Sequence, residues 1–283
     1  MFSKTQIVLR STVGVEMDYV LIASFVEHYR KLGVVDFRFV VHSLSSSSPK
    51  LDLVLVTLRD LGIQPAKIWI TENWNTGDNS MMHREVIKDC PDHAWVISAD
   101  IDEFHEYPMR LPEFIEELES GRFDLVKGRL TERIAQDFSI PNLDTSKTLF
   151  DQFPLQVRFG IGNPGKIMLH RKFVLTTPGH HGFEDAQGLY KVYPQILKVM
   201  HFKWFGDVRR KYTDPRVMAH HSLSWEFSAY DRYIASNFYG WRRQRNRLRY
   251  SPIVSRLASL LGQVKSVIRK IAFQRSSLFM FLK

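Results

Sequence analysis

The 283-residue chain is 44% hydrophobic and carries a formal net charge of +9. This composition excludes global disorder and allows one large domain, or a domain with a small appendage. A single cysteine, Cys90, excludes an intrachain disulfide and a cysteine-based zinc site, and the absence of any run of about 18 apolar residues predicts no membrane-spanning helix.

The positive charge is concentrated at one end of the chain. Eleven of the 39 Lys and Arg residues lie in residues 241–283, which contain no acid. The other 240 residues therefore hold 28 basic and 30 acidic side chains. The basic character belongs to this C-terminal tail, and the preceding part is slightly acidic.

Strands and helices alternate along the first 130 residues. Short apolar runs predict strands at Gln6–Leu9, Phe37–Val41, Ala66–Ile70, Ala94–Ser98 and Leu125–Leu130. Apolar residues at helical spacing predict helices at Tyr19–Lys31, Leu51–Leu61, Ser80–Lys88 and Leu111–Ser120, three of them followed by Gly33, Gly62 and Gly121. This alternation with short connectors predicts an α/β fold with a doubly wound, mostly parallel sheet flanked by helices.

The pattern changes after the fifth predicted strand. Residues 136–165 are rich in proline and predict irregular chain that contacts a substrate. Lys166–His170 and Lys198–Phe202 predict two further strands. A glycine-flanked histidine pair, His180 and His181, lies between them.

The most informative segment is the one that follows the strand predicted at Ala94–Ser98. Four carboxylates come within seven residues: Asp100, Asp102, Glu103 and Glu106. In open α/β sheets, ligands bind beyond the carboxyl ends of the strands. Asp100 and Asp102 are two apart, so in extended chain they point to the same side and could hold Mg²⁺ or Mn²⁺, and through it a diphosphate. Alternatively, Asp102 caps a short helix whose dipole favours Glu103.

Several segments in order resemble the GT-A glycosyltransferases of the family 2 type, in particular a branch that is similar to family 92. The resemblance covers residues 5–212. It rests on the first helix after Glu16, Trp95-Val-Ile-Ser-Ala-Asp-Ile-Asp-Glu-Phe104, Lys127-Gly-Arg-Leu-Thr-Glu-Arg133, Lys166-Ile-Met-Leu-His-Arg171 and His201-Phe-Lys-Trp204. Glu132-Arg133 stands where relatives often carry an Asp-Arg pair.

The resemblance implies a metal-dependent enzyme of hexosyltransferase type. One half of its fold would bind a nucleotide-sugar donor, and the other half would bind an acceptor. It implies a GT-A domain over residues 1–240, with a nucleotide-sugar-binding half at 1–106 and an acceptor half at 107–240. Asp100 and Asp102 would hold Mn²⁺ or Mg²⁺ against the donor diphosphate. The acceptor would be a glycan or a lipid-linked sugar, and transfer would invert the anomeric configuration.

Other site residues are open to two interpretations. Asp185, and after it Glu184, is the candidate general base, the alternative being that both are surface acids on a turn. His201, His180 and His181 are candidate third metal ligands, and a histidine ligand would favour Mn²⁺. A structural role is the alternative for His201. Lys203 could contact a donor phosphate and Trp204 could stack on the donor base or sugar.

The tail over residues 241–283 is predicted to form a basic amphipathic helix. Such helices bind anionic membrane surfaces, and Met1–Arg10 has no signal peptide. We therefore expect a cytoplasmic protein, peripheral on the inner face of the cell membrane. The alternatives are a helix that packs on the domain or on a second copy, and a nucleic-acid-binding tail on a non-catalytic scaffold, which the slightly acidic domain disfavours.

Overall fold

The computed structural model describes residues 5–16, 19–72, 74–158, 165–185, 187–206, 208 and 228–236. The chain divides into two compact units, residues 1–229 and residues 230–283. In the second unit, the described residues 230–236 are helical. The tail predicted over residues 241–283 lies outside the described residues. Among the residues described, no helix combines the length and the apolar character needed to cross a bilayer.

The first unit contains a nine-stranded sheet within the described residues. The strands are β1 (Ile7–Gly14), β2 (Asp36–Ser43), β3 (Lys67–Ile70), β4 (Trp95–Ser98), β5 (Glu103–Glu106), β6 (Leu125–Ile134), β7 (Leu155–Val157), β8 (Gly165–Arg171) and β9 (Leu197–His201). The helices are α1 (Ile22–Leu32), α2 (Pro49–Asp60), α3 (Thr76–Glu85), α4 (Leu111–Ser120) and the single turn α5 (Leu149–Gln152).

The strand order is β3-β2-β1-β4-β8-β6-β9-β5, with β7 paired to β6. The neighbours from β3 to β4 are parallel, and β9 is parallel to β6. The pairs β4–β8, β8–β6, β9–β5 and β6–β7 are antiparallel. Six of the nine strands in this described sheet therefore run in one direction, which confirms the predicted α/β fold with a mostly parallel, helix-flanked sheet.

The central strands β1 and β4 bury both of their faces, as parallel strands covered by helices do. Leu9 and Ile97 pack into a core that includes α1, α2 and α4. Val8 and Val96 point to the opposite face and pack with the chain after α3. All four residues of β4 are buried, which is the environment that the apolar run at Ala94–Ser98 predicts.

Helix ends follow the local chemistry of the sequence. Gly33 ends α1 in the left-handed region at φ 104°, which glycine adopts without a steric penalty. Helix α4 has the predicted bounds. Helix α3 begins four residues earlier than predicted, because the Asn75 side chain caps it by accepting a hydrogen bond from the Asp78 N–H at 2.8 Å.

Three boundaries differ from the prediction in ways that affect the site. Strand β1 continues to Gly14, five residues past the predicted end at Leu9. Strand β6 continues to Ile134, four residues past the predicted end, and so includes Glu132. The chain after Asp102 is strand β5 and not a capped helix, because Glu103–Glu106 pairs with β9.

Candidate active site

The acidic segment after β4 surrounds one buried lysine. The Lys166 side chain is 2% exposed and comes from the start of β8. Its ammonium nitrogen lies 2.8 Å from Asp100 Oδ2, 2.7 Å from Glu103 Oε1 and 2.8 Å from the Gly179 carbonyl oxygen. The lysine therefore joins the acidic segment to the turn that carries the histidine pair.

A second set of contacts is centred on His201, the last residue of β9. Its Nε2 lies 3.2 Å from Asp102 Oδ2, and its Nδ1 lies 3.0 Å from Glu132 Oε1. The other Glu132 oxygen accepts a hydrogen bond from the Trp204 indole N–H at 2.7 Å. Asp102, His201, Glu132 and Trp204 thus form one continuous hydrogen-bonded chain.

The sheet register explains why these residues meet. His201 pairs with Glu132 on β6 and with Glu103 on β5. Residues paired across neighbouring strands present their side chains on the same face of the sheet. The strand order β6-β9-β5 therefore places Glu132, His201 and Glu103 in one row, next to the turn that carries Asp100 and Asp102.

The two acids that contact Lys166 have different protonation tendencies. Burial raises the pKa of Asp100 and Lys166 lowers it, and the net pKa lies below the usual value. Burial raises the pKa of Glu103 to about 7, although Lys166 opposes this shift. Asp100, whose side chain is 44% exposed, is thus an ionised carboxylate at the surface of the site, with the buried Glu103 behind it.

His201 is cationic in this arrangement. Burial alone lowers the pKa of its imidazole, but the carboxylates of Glu132 and Asp102 raise it well above the usual value. Burial raises the pKa of Glu132 as well, and His201 lowers it to a net value below the usual one. Among the described residues, four acids, Asp100, Asp102, Glu103 and Glu132, are thus accompanied by two cations, Lys166 and His201.

The side chains of the site bear on whether it could hold a divalent ion. No three His, Cys, Asp or Glu side chains in the described chain converge closely enough to hold a metal by themselves. However, His201 Nδ1 donates to Glu132, and a carboxylate in this position is the usual second contact of a metal-ligating histidine. The other ring nitrogen, Nε2, is directed at Asp102. Asp102 and His201 would supply two ligands, with the partly exposed Asp100 on the same turn, and an ion here would take its remaining ligands from phosphate oxygens and water.

Lys203 and Trp204 follow β9 and are largely buried, at 7% and 1% exposure. The Lys203 ammonium lies 5.8 Å from the centroid of the Trp204 ring. The Trp204 ring lies in the interior, and its indole N–H donates a hydrogen bond to Glu132. Both residues therefore lie beside the His201 cluster, behind the carboxylates that could contact a ligand.

Glu184 and Asp185, the predicted base candidates, lie on the turn after the histidine pair. The Asp185 carboxylate accepts hydrogen bonds from the backbone N–H groups of Leu189 at 2.8 Å and Tyr190 at 3.2 Å. The Glu184 side chain is exposed. In the described residues, no hydrogen bond or ion pair joins either acid to the Lys166 or His201 clusters.

The histidine pair is divided between two roles. His180 is buried and its Nε2 lies 3.1 Å from His83 Nδ1. The His181 Nδ1 lies 2.9 Å from the Gly165 carbonyl oxygen. Neither nitrogen contacts Asp100 or Asp102, whereas His201 does.

The roles of Lys166, Glu132 and Glu103 are not evident from the sequence. Each belonged to a segment that carried the resemblance or to the run of acids, but their meeting depends on pairings between distant strands. One signal was available, since a lysine at the start of an otherwise apolar strand needs an acidic partner when it is buried.

Comparison with known proteins gives limited additional information. No protein-family model and no curated protein sequence matches the chain. Among solved structures, the chain is similar to TarS 1-349 from S. aureus, with 13% identity and a TM-score of 0.33 over 59% of this chain and 47% of that one. Its complex with UDP-GlcNAc aligns with 11% identity and a TM-score of 0.39 over 71% and 60% of the two chains.

The complex of TarS 1-349 with UDP aligns with 14% identity and a TM-score of 0.33 over 60% of this chain and 47% of that one. The chain thus spans between about half and three fifths of the length of these TarS structures. At this level of similarity, the alignments add nothing to the fold and the site geometry described above.

Proposed function

We propose that this protein is a metal-dependent GT-A glycosyltransferase that moves a sugar from a nucleotide-sugar donor to a glycan or lipid-linked acceptor. The observation that carries the proposal is the approach of His201 Nε2 to Asp102 Oδ2 at 3.2 Å, with Glu132 bound to the other ring nitrogen. The sequence resemblance to the family 2 type, with its family 92-like branch, supports the same assignment.

Asp100, Asp102 and His201 would hold Mn²⁺ or Mg²⁺ at the edge of the sheet. When bound, the ion neutralises the charge that develops on the leaving nucleoside diphosphate. An imidazole ligand favours Mn²⁺ over Mg²⁺. Because a metal-bound imidazole is neutral, His201 would give up the proton that it holds between Asp102 and Glu132.

The chain's own residues would orient the reactants. Lys166 fixes Asp100 through the 2.8 Å ion pair, and Glu132 fixes the His201 ring. The acceptor hydroxyl would attack the anomeric carbon and transfer its proton to a carboxylate, for which Asp185 and Glu184 are the candidates. The bond from the anomeric carbon to the diphosphate breaks with its electron pair on the phosphate oxygen, so a single displacement inverts the configuration.

The first test is nucleotide binding by calorimetry, using UDP and GDP with and without Mn²⁺. We expect Mn²⁺-dependent binding of one nucleotide to the wild type and its loss in Asp102→Asn. Asp60→Asn is the matched control, because the Asp60 side chain is 70% exposed at the end of α2. Equal binding by the wild type and Asp102→Asn would contradict the proposal, and so would the absence of binding by a folded wild type.

We also propose that residues 241–283 hold the enzyme on an anionic membrane surface. The support is the segregation of eleven basic and no acidic residues in this tail. Full-length protein should co-sediment with vesicles containing phosphatidylserine, and each basic residue near such a surface contributes about 1 kcal/mol. A variant with Lys265, Arg269 and Lys270 changed to Gln should lose most of this binding. Tight, salt-sensitive RNA binding that depends on the same residues would instead favour a nucleic-acid role.

A further inference from the structure

A buried arginine on β1 has no acidic partner among the residues that the structure describes. Arg10 is 3% exposed. Its guanidinium donates to Ser98 Oγ at 3.0 Å, to the His83 carbonyl oxygen at 3.3 Å and to Thr176 Oγ1 at 3.1 Å, and lies 3.4 Å from His170 Nε2. All four contacts are to neutral groups. A buried charge that is hydrogen-bonded but not paired with an opposite charge keeps a large part of its desolvation cost.

The histidines around Arg10 do not supply a negative charge. Burial lowers the pKa of His83 and of His170 to about 3 in each case, and Arg10 adds to both shifts. Burial also lowers the pKa of His180 well below its usual value. These three rings are therefore neutral near pH 7, and they lie around the guanidinium of Arg10 as neutral polar groups. Burial lowers the pKa of the guanidinium itself to about 9.

A pocket opens directly over this arginine. It has a volume of about 320 Å³ with its open mouth included, and its polar lining consists of Arg10, Ser80, Arg84, Lys172, Thr176 and His180. No acidic residue lines it. The enclosed part of the pocket is only about 30 Å³, which leaves room for a small group and not for a whole nucleotide.

The cationic side chains that line the pocket differ in their hydrogen bonds and ion pairs. Lys172 donates to the backbone carbonyls of Lys88 and Cys90 and lies 3.5 Å from Asp92. Arg84, on the last turn of α3, forms no ion pair with any acid in the described part of the chain. Arg10 and Arg84 thus present two guanidinium groups to the same pocket without a carboxylate to offset them.

The turn that closes the pocket has an unusual backbone. Gly179 has φ 72°, and His180 has φ 57°, a left-handed conformation that is uncommon outside glycine. His180 Nδ1 contacts Thr176 Oγ1 at 3.0 Å, while the Gly179 carbonyl accepts from Lys166. One strained turn therefore contacts the pocket through His180 and the acidic cluster through Gly179.

We propose that this pocket binds a small oxyanion, a phosphate or carboxylate group, between the guanidinium groups of Arg10 and Arg84. Guanidinium groups match the geometry of such oxyanions and form charge-assisted hydrogen bonds with them. The site is separate from the metal-binding carboxylates of the proposed transferase activity and does not need a metal ion. The anion is either free in solution or a substituent of a larger molecule that enters through the open mouth.

The test uses full-length protein in the presence of EDTA at constant ionic strength. The unfolding temperature is followed as inorganic phosphate replaces chloride. A ligand that binds only the folded state raises this temperature in a saturable way. We expect a saturable rise for the wild type, and at least a tenfold higher phosphate concentration for the same rise in Arg84→Gln.

Lys88→Gln is the matched control for this experiment. It removes the same charge four residues further along, at an exposed position that does not line the pocket. The wild-type response should therefore be retained. The absence of a saturable rise in the wild type would overturn the proposal, as would equal responses in Arg84→Gln and Lys88→Gln, because phosphate would then be bound elsewhere.

Two further ligands identify the anion and its source. If the pocket accepts a carboxylate, acetate should also raise the unfolding temperature. If the pocket needs a tetrahedral group, phosphate should raise it and acetate should not. Methyl phosphate should act like inorganic phosphate if the anion is a substituent of a larger molecule, and it should fail if the pocket takes the free ion alone. Because EDTA removes divalent ions, a failure of Mn²⁺-dependent UDP binding would leave these results unaffected.

Discussion

The ammonium nitrogen of Lys166 lies 2.7 Å from a carboxylate oxygen of Glu103, and both side chains are only 2% exposed. The same nitrogen reaches the partly exposed Asp100 and the backbone of the turn at Gly179. Lys166 therefore links the inner and outer acids of the candidate site to the turn that also borders the anion pocket. We interpret Lys166 as a positioning residue, because its buried ammonium holds these groups in place.

Removal of the Lys166 charge is expected to destabilise the fold strongly. In Lys166→Met, Glu103 keeps its burial but loses its cation, and breaking one side of a buried ion pair typically costs about 3–5 kcal/mol. We expect a loss of this size in the free energy of unfolding, measured by urea denaturation. The double variant Lys166→Met, Glu103→Gln should recover part of the loss, since it removes the unpaired buried charge.

Lys31→Met provides the comparison for an exposed ion pair. Lys31 and Glu27 lie 2.6 Å apart on α1, but their side chains are 73% and 66% exposed. Pairs of this kind contribute only about 0.3–0.5 kcal/mol. A loss in Lys166→Met no greater than that in Lys31→Met would contradict the buried network described here.

The fold could be predicted from the sequence because its signals are local. The apolar run at Ala94–Ser98 indicated a strand buried on both faces, and Gly33 indicated the end of a helix. Strand β5 was missed because Glu103–Glu106 is four residues long and carries two acids and a histidine. Its strand conformation depends on pairing with β9, about 95 residues later in the chain.

The site could be predicted only in part, for the same reason. Asp100 and Asp102 were recognisable because they follow a buried strand. The partners Glu132 and Lys166 come from β6 and β8, and their distances to His201 and Asp100 depend on strand order and register. The burial of Arg10 could not be predicted, because the first strand was expected to end at Leu9 whereas β1 continues to Gly14.

Glu132 is expected to control metal affinity through His201. In Glu132→Gln, the ring loses a charged acceptor at Nδ1, and changes at such supporting contacts typically weaken metal binding about 10–100-fold. Calorimetry with Mn²⁺ in the presence of the preferred nucleotide measures this change. Glu106→Gln is the control, because Glu106 pairs with the half-exposed Lys198 at 2.9 Å. Unchanged Mn²⁺ affinity in Glu132→Gln would argue against His201 as a ligand.

Gly128 on β6 is expected to tolerate no side chain. A Cβ atom there would lie 2.2 Å from Met168 Sδ and 2.8 Å from Val199 Cγ2, on the two strands that flank β6. Overpacking of this kind costs about 1–3 kcal/mol, so Gly128→Ala should lower the free energy of unfolding by that amount. Met168→Ala should reduce the effect of Gly128→Ala in the double variant, and simple additivity would show that the close contact with Met168 is not the cause.

His83 is expected to make the folded protein sensitive to acid. Its neighbours are Arg10, Asp100, Lys166 and His180, and burial, the largest cause, lowers its pKa to about 3. Between pH 6.5 and 3 the unfolded chain therefore binds a proton at His83 that the folded chain does not, so stability is lost as the pH falls. In urea denaturation between pH 7 and 5, His83→Gln should reduce the slope of the unfolding free energy by up to about 1.4 kcal/mol per pH unit. An unchanged slope in a folded variant would mean that His83 takes up its proton in the native state.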